Sequence, residues 1–230
     1  MKQYSAKRSI QILAHILEQY GIDKIIISPG SRNAPLAIHF SEIDAFQCYS
    51  IVDERAAAFV GLGMSKSIKK PVAITCTSGS AATNYYPAVV EAFYQYVPLL
   101  VLTADRPADF VDIFDGQTIR QKNIFQQHSY GDFELLEDEK DGSDDYNFET
   151  IKKAVELCIE KSGPVHINIP LTEPLYNLLE ELPVMPAVEK TIQKKNYEIP
   201  SNLVADWHTS KRIMILAGTL SVSYTHLTLP

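Results

Sequence analysis

The sequence predicts an α/β fold: a mostly parallel sheet of about five or six strands with helices on both faces. Two observations carry this. Short apolar runs alternate with helical stretches at a spacing of roughly 25 residues, the pattern of βαβ units. The runs at 24–28, 48–52, 72–76 and 99–103, which a further strand at 165–169 joins, are also near-continuously apolar, as expected of strands covered on both faces. With 230 residues, 46% of them hydrophobic, the chain is long enough to bury a real core and too apolar for a disordered one.

Ile10, Leu13, Ile16 and Leu17 recur at helical spacing, so the basic N-terminus reads as an amphipathic helix rather than a signal peptide. Gly21 follows as a C-cap. The strand at 24–28 runs through Pro29-Gly30-Ser31-Arg32 into a helix from Ala34, and the strand at 48–52 runs through Asp53-Glu54 into RAAAFVGLGMSKS. The strand at 72–76 leads through Thr77-Ser78-Gly79-Ser80 into one helix, AATNYYPAVVEAFYQ, and that at 99–103 into Ala104-Asp105-Arg106-Pro107. The acidic stretch 132–149 reads as a solvated loop without chemistry, and a helix over 148–162 precedes the strand PVHINIP.

The expected organisation is one domain over 1–180, a linker over 181–210 and the truncated start of a further α/β domain over 211–220, with its first strand in KRIMILAG. Residues 221–230, SVSYTHLTLP, read as a non-native tail.

Twenty-one Lys and Arg against 28 Asp and Glu give a net charge of −7, which argues against sequence-independent nucleic-acid binding. Cys48, Cys76 and Cys158 are odd in number and widely spaced, so neither a disulfide framework nor a zinc site is expected. No apolar run is long enough to span a bilayer. A cytoplasmic location is the expectation.

In an open parallel sheet, ligands bind where the carboxyl ends of strands lead into helices. Four such junctions carry polar groups: Ser31 with Arg32, Glu54, Thr77 to Ser80, and Asp105 with Arg106. Each alone reads equally well as a helix cap, a helix-end charge or a local ion pair. Four together at one sheet edge favour a ligand site. Gly61-Leu62-Gly63 is no dinucleotide loop, because it falls inside a helical pattern and position 66 is Lys. The six His residues form no metal-ligand cluster, so His15, His39, His128 and His166 are read as packing or surface groups, and Tyr85, Tyr86, Phe93, Tyr94 and Tyr96 as helix packing.

SPGSRNAPLAIHF, VDERAAAFVGLGMSKS, PVAITCTSGSAATNYYPAVVEAF and VPLLVLTADRP, in this order, resemble the thiamine-diphosphate-dependent enzymes. PGSRNAPL with TADRP narrows the resemblance to the menaquinone-biosynthesis synthases of that family. It covers residues 1–180 and implies a pyrimidine-binding domain. The implied reaction is decarboxylation of 2-oxoglutarate and addition of the succinyl carbanion equivalent to isochorismate. The resemblance makes Glu54 the catalytic and cofactor-binding acid, hydrogen-bonded to N1′ of thiamine diphosphate. Thr77, Ser78 and Gly79 line the pyrimidine. Ser31, Arg32, Arg106 and Gln117 hold substrate, since an Arg fork suits a carboxylate. Gly116 stands where the family commonly has Asn. Magnesium or manganese would be bound by a diphosphate domain beyond these residues, with no metal ligand expected here, and the cofactor would lie between subunits of a homodimer or homotetramer. Two other readings stand beside this one: an acetolactate-synthase-like carboligase or decarboxylase, and a non-catalytic α/β binding module.

Overall fold

The computed structural model describes residues 2–138, 140–192 and 198–214. The chain divides into two compact units, Met1–Ile192 and Gln193–Pro230. The first begins with β1 (Tyr4–Ser5), α1 (Arg8–Tyr20), β2 (Lys24–Ile27), α2 (Ala34–Glu42), β3 (Gln47–Ser50) and α3 (Glu54–Ile68). It continues through β4 (Val72–Cys76), α4 (Ser80–Asn84), α5 (Tyr86–Gln95), β5 (Leu99–Asp105), β6 (Asp132–Glu134), α6 (Ser143–Lys161), β7 (Val165–Pro170) and β8 (Leu178–Leu179). The described part of the second unit holds α7 (Ser201–Thr209).

Six strands form one parallel sheet in the order β3-β2-β4-β5-β7-β6, and β1 pairs antiparallel with β8 beside it. The period-two alternation of a strand divides the apolar runs between two cores. Ile25, Ile27, Leu100, Leu102, Val165 and Ile167 face α1, α2 and α6. Ile26, Ile74, Cys76, Leu99 and Val101 face α3, α4 and α5. The strands expected at 24–28, 48–52, 72–76, 99–103 and 165–169 all form, and helices do cover both faces.

Three local expectations need correcting. The helix read across 81–95 is two helices, α4 and α5, meeting at Tyr85, because Pro87 has no N–H to donate and its ring crowds the preceding turn. The acidic stretch 132–149 is not a solvated loop. It supplies edge strand β6, and α6 starts at Ser143, earlier than its apolar periodicity indicates. Asp138 within it accepts from the backbone N–H groups of Arg8 and Ser9, both at 2.9 Å, and so caps α1 from 130 residues away in the case of Arg8. Of the stretch read as linker, the part up to Ile192 belongs to the first unit: Met185 and Val188 pack on its core, and His15 bonds the Pro186 carbonyl at 2.8 Å. Lys211–Met214 show no regular structure, and the rest of the strand expected at 211–218, like the tail at 221–230, lies outside the described residues.

Gly61 sets how closely α3 lies on the sheet. A Cβ there would stand 2.6 Å from Ile74 Cγ2, a branched methyl with no freedom to move away. Gly61→Ala gains about 1 kcal/mol of helix propensity, but overpacking of this kind costs about 1–3 kcal/mol. The variant is expected to be less stable by up to about 2 kcal/mol, read from the urea midpoint at an unchanged slope.

Candidate functional site

The chain leaves β2 toward β3 on one side and later returns to place β4 on the other, so the carboxyl ends of β2 and β4 form a topological switch point. The sequence closes this crevice tightly. A Cβ at Gly30 would stand 2.3 Å from Thr77 Cβ, so only glycine lets the two loops approach. Asn33, fully buried, donates to the carbonyls of Ser28 (2.9 Å) and Thr75 (3.3 Å) and accepts from the Thr75 hydroxyl at 2.7 Å. This asparagine of the PGSRN segment was not singled out from sequence. It ties β2 to β4 where a ligand site would open.

Thr77, Ser78 and Gly79 are buried and meet Gln117, 38 residues beyond Gly79 in sequence. The Gln117 amide donates to the Ser78 carbonyl at 3.2 Å and to the Thr77 hydroxyl at 3.4 Å, and the Ser78 hydroxyl donates to the Gln117 carbonyl at 3.0 Å. Gly79 has φ +85°, a conformation that disfavours any side chain, and a Cβ there would come within 3.1 Å of Gln117. At Gly116 the direction of a side chain is open space, so the position has room for the asparagine common in the resembling family.

Glu54 opens α3, whose N-cap Asp53 accepts from the Ala56 N–H at 2.8 Å. The helix N-terminus favours a carboxylate there. Glu54 faces inward far enough to act on buried neighbours: burial pushes the Cys76 thiol up and the Glu54 charge adds to the rise. Burial raises the Tyr85 phenol in the same way, with Cys76 and then Glu54 contributing. Glu54 follows β3 and Arg106 follows β5, three strands apart at the same end of the sheet, about 14 Å by strand spacing.

The two arginines go different ways. Arg32 turns toward the end of β7, donating to the Leu171 carbonyl at 2.8 Å and to the exposed Glu173 carboxylate at 3.1 Å. Ser31 beside it is exposed. Arg106 lines a cleft of about 400 Å³ with Asp105, Asp112, Arg120, Gln121, Glu134 and Asn168. Its Nε lies 3.0 Å from Asp115 Oδ2, yet both atoms are buried and neither meets hydrogen-bond geometry. The pair is in place but unsatisfied.

Behind the cleft is a buried polar network. The Thr103 hydroxyl donates to Asn168 Oδ1 (2.9 Å), and Asn168 Nδ2 donates to Asp105 Oδ2 (2.8 Å). Gln121 joins Asn168 from above (3.0 Å), and His166 lies 2.7 Å from Thr103 and 2.6 Å from Asp132. Asp132 in turn accepts from the backbone of Asn123 and Phe125, both at 3.2 Å. His166 is therefore a network member as well as a packing group. The available signal was the strand VHINIP, where His166 and Asn168 alternate with Val165, Ile167 and Ile169. Only one face of this strand is apolar.

Residues 8–133 match the family described as thiamine pyrophosphate enzyme, N-terminal TPP binding domain. The chain belongs to the thiamine pyrophosphate enzyme family. It is 49% identical over 214 residues, 92% of the chain, to a "2-succinyl-5-enolpyruvyl-6-hydroxy-3-cyclohexene-1-carboxylate synthase" of Flavobacterium johnsoniae. Proteins of the same name from Flavobacterium psychrophilum (46% over 90% of the chain) and Christiangramia forsetii (43% over 86%) are also similar. The chain spans 38% of the length of the first of these and 37% of the other two.

Burial pushes the Asp105 carboxyl up to about 6, and the Glu134 charge adds to the rise against the bonds from Asn168 and the Arg106 N–H. The folded chain thus binds this proton more tightly than the unfolded one, so stability falls as pH rises from about 4 to about 6. Asp105→Asn cannot titrate. Wild type is expected to lose about 2 kcal/mol relative to Asp105→Asn between pH 4 and pH 7, measured by urea unfolding at each pH.

Proposed function

We propose that residues 1–180 are the pyrimidine-binding domain of a 2-succinyl-5-enolpyruvyl-6-hydroxy-3-cyclohexene-1-carboxylate synthase. In this reading the whole protein is a thiamine-diphosphate-dependent transferase. It decarboxylates 2-oxoglutarate and joins the succinyl unit to isochorismate in menaquinone biosynthesis. The observation that carries the reading is the locked loop Thr77-Ser78-Gly79 at the switch point, bonded to Gln117, with Glu54 to one side and the Arg106 cleft to the other.

The residues fit the cofactor. Gly79 holds a φ of +85° that disfavours a side chain, and with Gln117 packed where a Cβ would stand the turn presents backbone rather than side chain at the rim. Glu54 stands at a helix N-terminus at the same rim, half-buried. Bound thiamine diphosphate supplies a thiazolium carbon that adds to a 2-oxo acid and stabilises charge after loss of carbon dioxide. The chain's part is to hold and protonate. Glu54 shares a proton with N1′ of the pyrimidine, Thr77, Ser78 and Gly79 seat that ring, and Gln117 bonds substrate from the same loop cluster.

Ser31, Arg32 and Arg106 receive the substrate carboxylates. Both arginines already hold a protein carboxylate that a substrate can replace. Glu173 is largely exposed, so its pair with Arg32 is easily exchanged, and the Arg106–Asp115 pair leaves Nε without a satisfied hydrogen bond. Magnesium or manganese is assigned to a diphosphate-binding domain outside this segment. Among the described residues no cluster of three His, Cys, Asp or Glu is arranged to hold a metal. The proposed assembly is a cytoplasmic homodimer or homotetramer with the cofactor between subunits, without nucleic-acid or membrane partners. Among the described residues no helix is long and apolar enough to cross a membrane.

The full-length protein is expected to turn over 2-oxoglutarate with isochorismate and not pyruvate; turnover of pyruvate alone would transfer the assignment to another carboligase. Glu54→Gln keeps volume and reach but cannot exchange a proton. It is expected to slow C2 proton exchange of bound cofactor by about 10²–10⁴-fold while cofactor affinity changes little. Arg106→Ala is expected to leave that exchange intact and raise KM for a carboxylate substrate by about 10- to 100-fold.

A further inference from the structure

Between the Thr77–Gly79 loop and the Arg106 cleft stands one side chain. Gln121 is 1% exposed and uses both ends of its amide. Its Oε1 accepts from the Gly79 N–H at 2.7 Å, and its Nε2 donates to the Ala104 carbonyl at 3.2 Å and to Asn168 Oδ1 at 3.0 Å. The backbone N–H can only donate and the Ala104 carbonyl can only accept, so the orientation of this amide is determined by its partners. Asn168 passes the connection on to Asp105 at 2.8 Å, the residue before Arg106.

We propose that Gln121 is a positioning residue: it holds the Gly79 turn at a set distance from the strand end that carries Arg106. Cofactor loop and substrate cleft then keep one register. The inference rests on the functional reading above and goes beyond it: Gln121 borders the Arg106 cleft, but its amide nitrogen already donates to the Ala104 carbonyl and to Asn168, so its part is to hold the turn rather than to donate to substrate. The geometry has little slack. Gly79 adopts a left-handed φ of +85° and is pressed against Gln117 on its other side, so its N–H has one direction in which to be satisfied. A buried donor left without a partner is costly, and the turn would shift to find one. A shift of about 1 Å in such a loop is enough to cost about 10²-fold in rate.

The test uses the full-length protein with Gln121→Leu, which keeps bulk and removes both bonds, and Gln121→Glu, which keeps the acceptor for Gly79. Hydrogen–deuterium exchange across residues 77–81 is read by mass spectrometry, and kcat and KM are read separately. Gln121→Leu is expected to speed exchange at Gly79 by about 10-fold or more and to lower kcat by about 10- to 100-fold, with KM for 2-oxoglutarate within about threefold. Gln121→Glu is expected to retain slow Gly79 exchange and recover part of kcat. Should Gln121→Leu not fold, Gln121→Asn, one methylene too short to reach both partners, carries the same expectation. Unchanged Gly79 exchange, or fast exchange with wild-type kcat, overturns the assignment of Gln121. Absence of wild-type turnover alongside a protected Gly79 overturns the functional reading, and with it the catalytic part of this one.

Discussion

The close approach of the loops after β2 and β4 is the constraint on which the rest of the rim depends. It requires glycine at position 30, because any side chain there would occupy the space of Thr77. It also requires Asn33, whose amide binds the Ser28 and Thr75 carbonyls as the two strands end. At a switch point the two connecting chains diverge, and backbone groups there lose the sheet partners they would otherwise have. One buried asparagine satisfies the Ser28 carbonyl, adds a second donor to the Thr75 carbonyl that already accepts from the Ser28 N–H, and keeps the crevice from splaying. With this join in place Thr77 cannot move away from Gly30. Ser78, Gly79 and Gln117 then inherit a defined position.

The opposite half of the sheet is organised differently. β5 and β7 place Thr103, Asp105, His166 and Asn168 on one face, where apolar residues would be the default for a strand buried on both sides. Buried polar groups are tolerated only when bonded, and here they bond one another and the turn at 121–125 through Gln121 and Asp132. The segment between β5 and β6 carries little regular structure of its own, and this network is what seats it over the sheet. A segment held in this way is defined enough to carry Arg106, Gln117 and Gln121. Apolar packing alone would have left its side chains less specifically placed, because dispersion has no direction.

Charge follows the same division of labour. The acidic stretch 132–149 looked like solvent-facing surface, yet Asp132 and Asp138 both work inward: one receives His166 and two backbone N–H groups, the other caps α1. Composition averages over a segment and cannot distinguish the carboxylates that meet a donor from those that meet water. Asp144, half exposed beside Arg8, belongs nearer to the second kind, where ion pairs contribute little.

By itself the sequence determined the fold class, the strand positions and the four polar junctions, because a parallel sheet imposes its periodicity locally: apolar runs of strand length, helical repeats between them, and polar or glycine residues where one becomes the other. It also brought out Glu54, Thr77 to Gly79, Arg106 and Gln117, through motifs that are contiguous in the chain. Tertiary structure alone decided which of these residues meet. Gly79 and Gln121 are 42 positions apart, and Thr103 and Asn168 are 65 apart. Arg32, next to Ser31 in sequence, turns instead to Leu171. Such pairings depend on the order of strands in the sheet and on which face each side chain takes. No local pattern records them, because a hydrogen bond between distant residues leaves each partner looking like any other polar residue in its own neighbourhood.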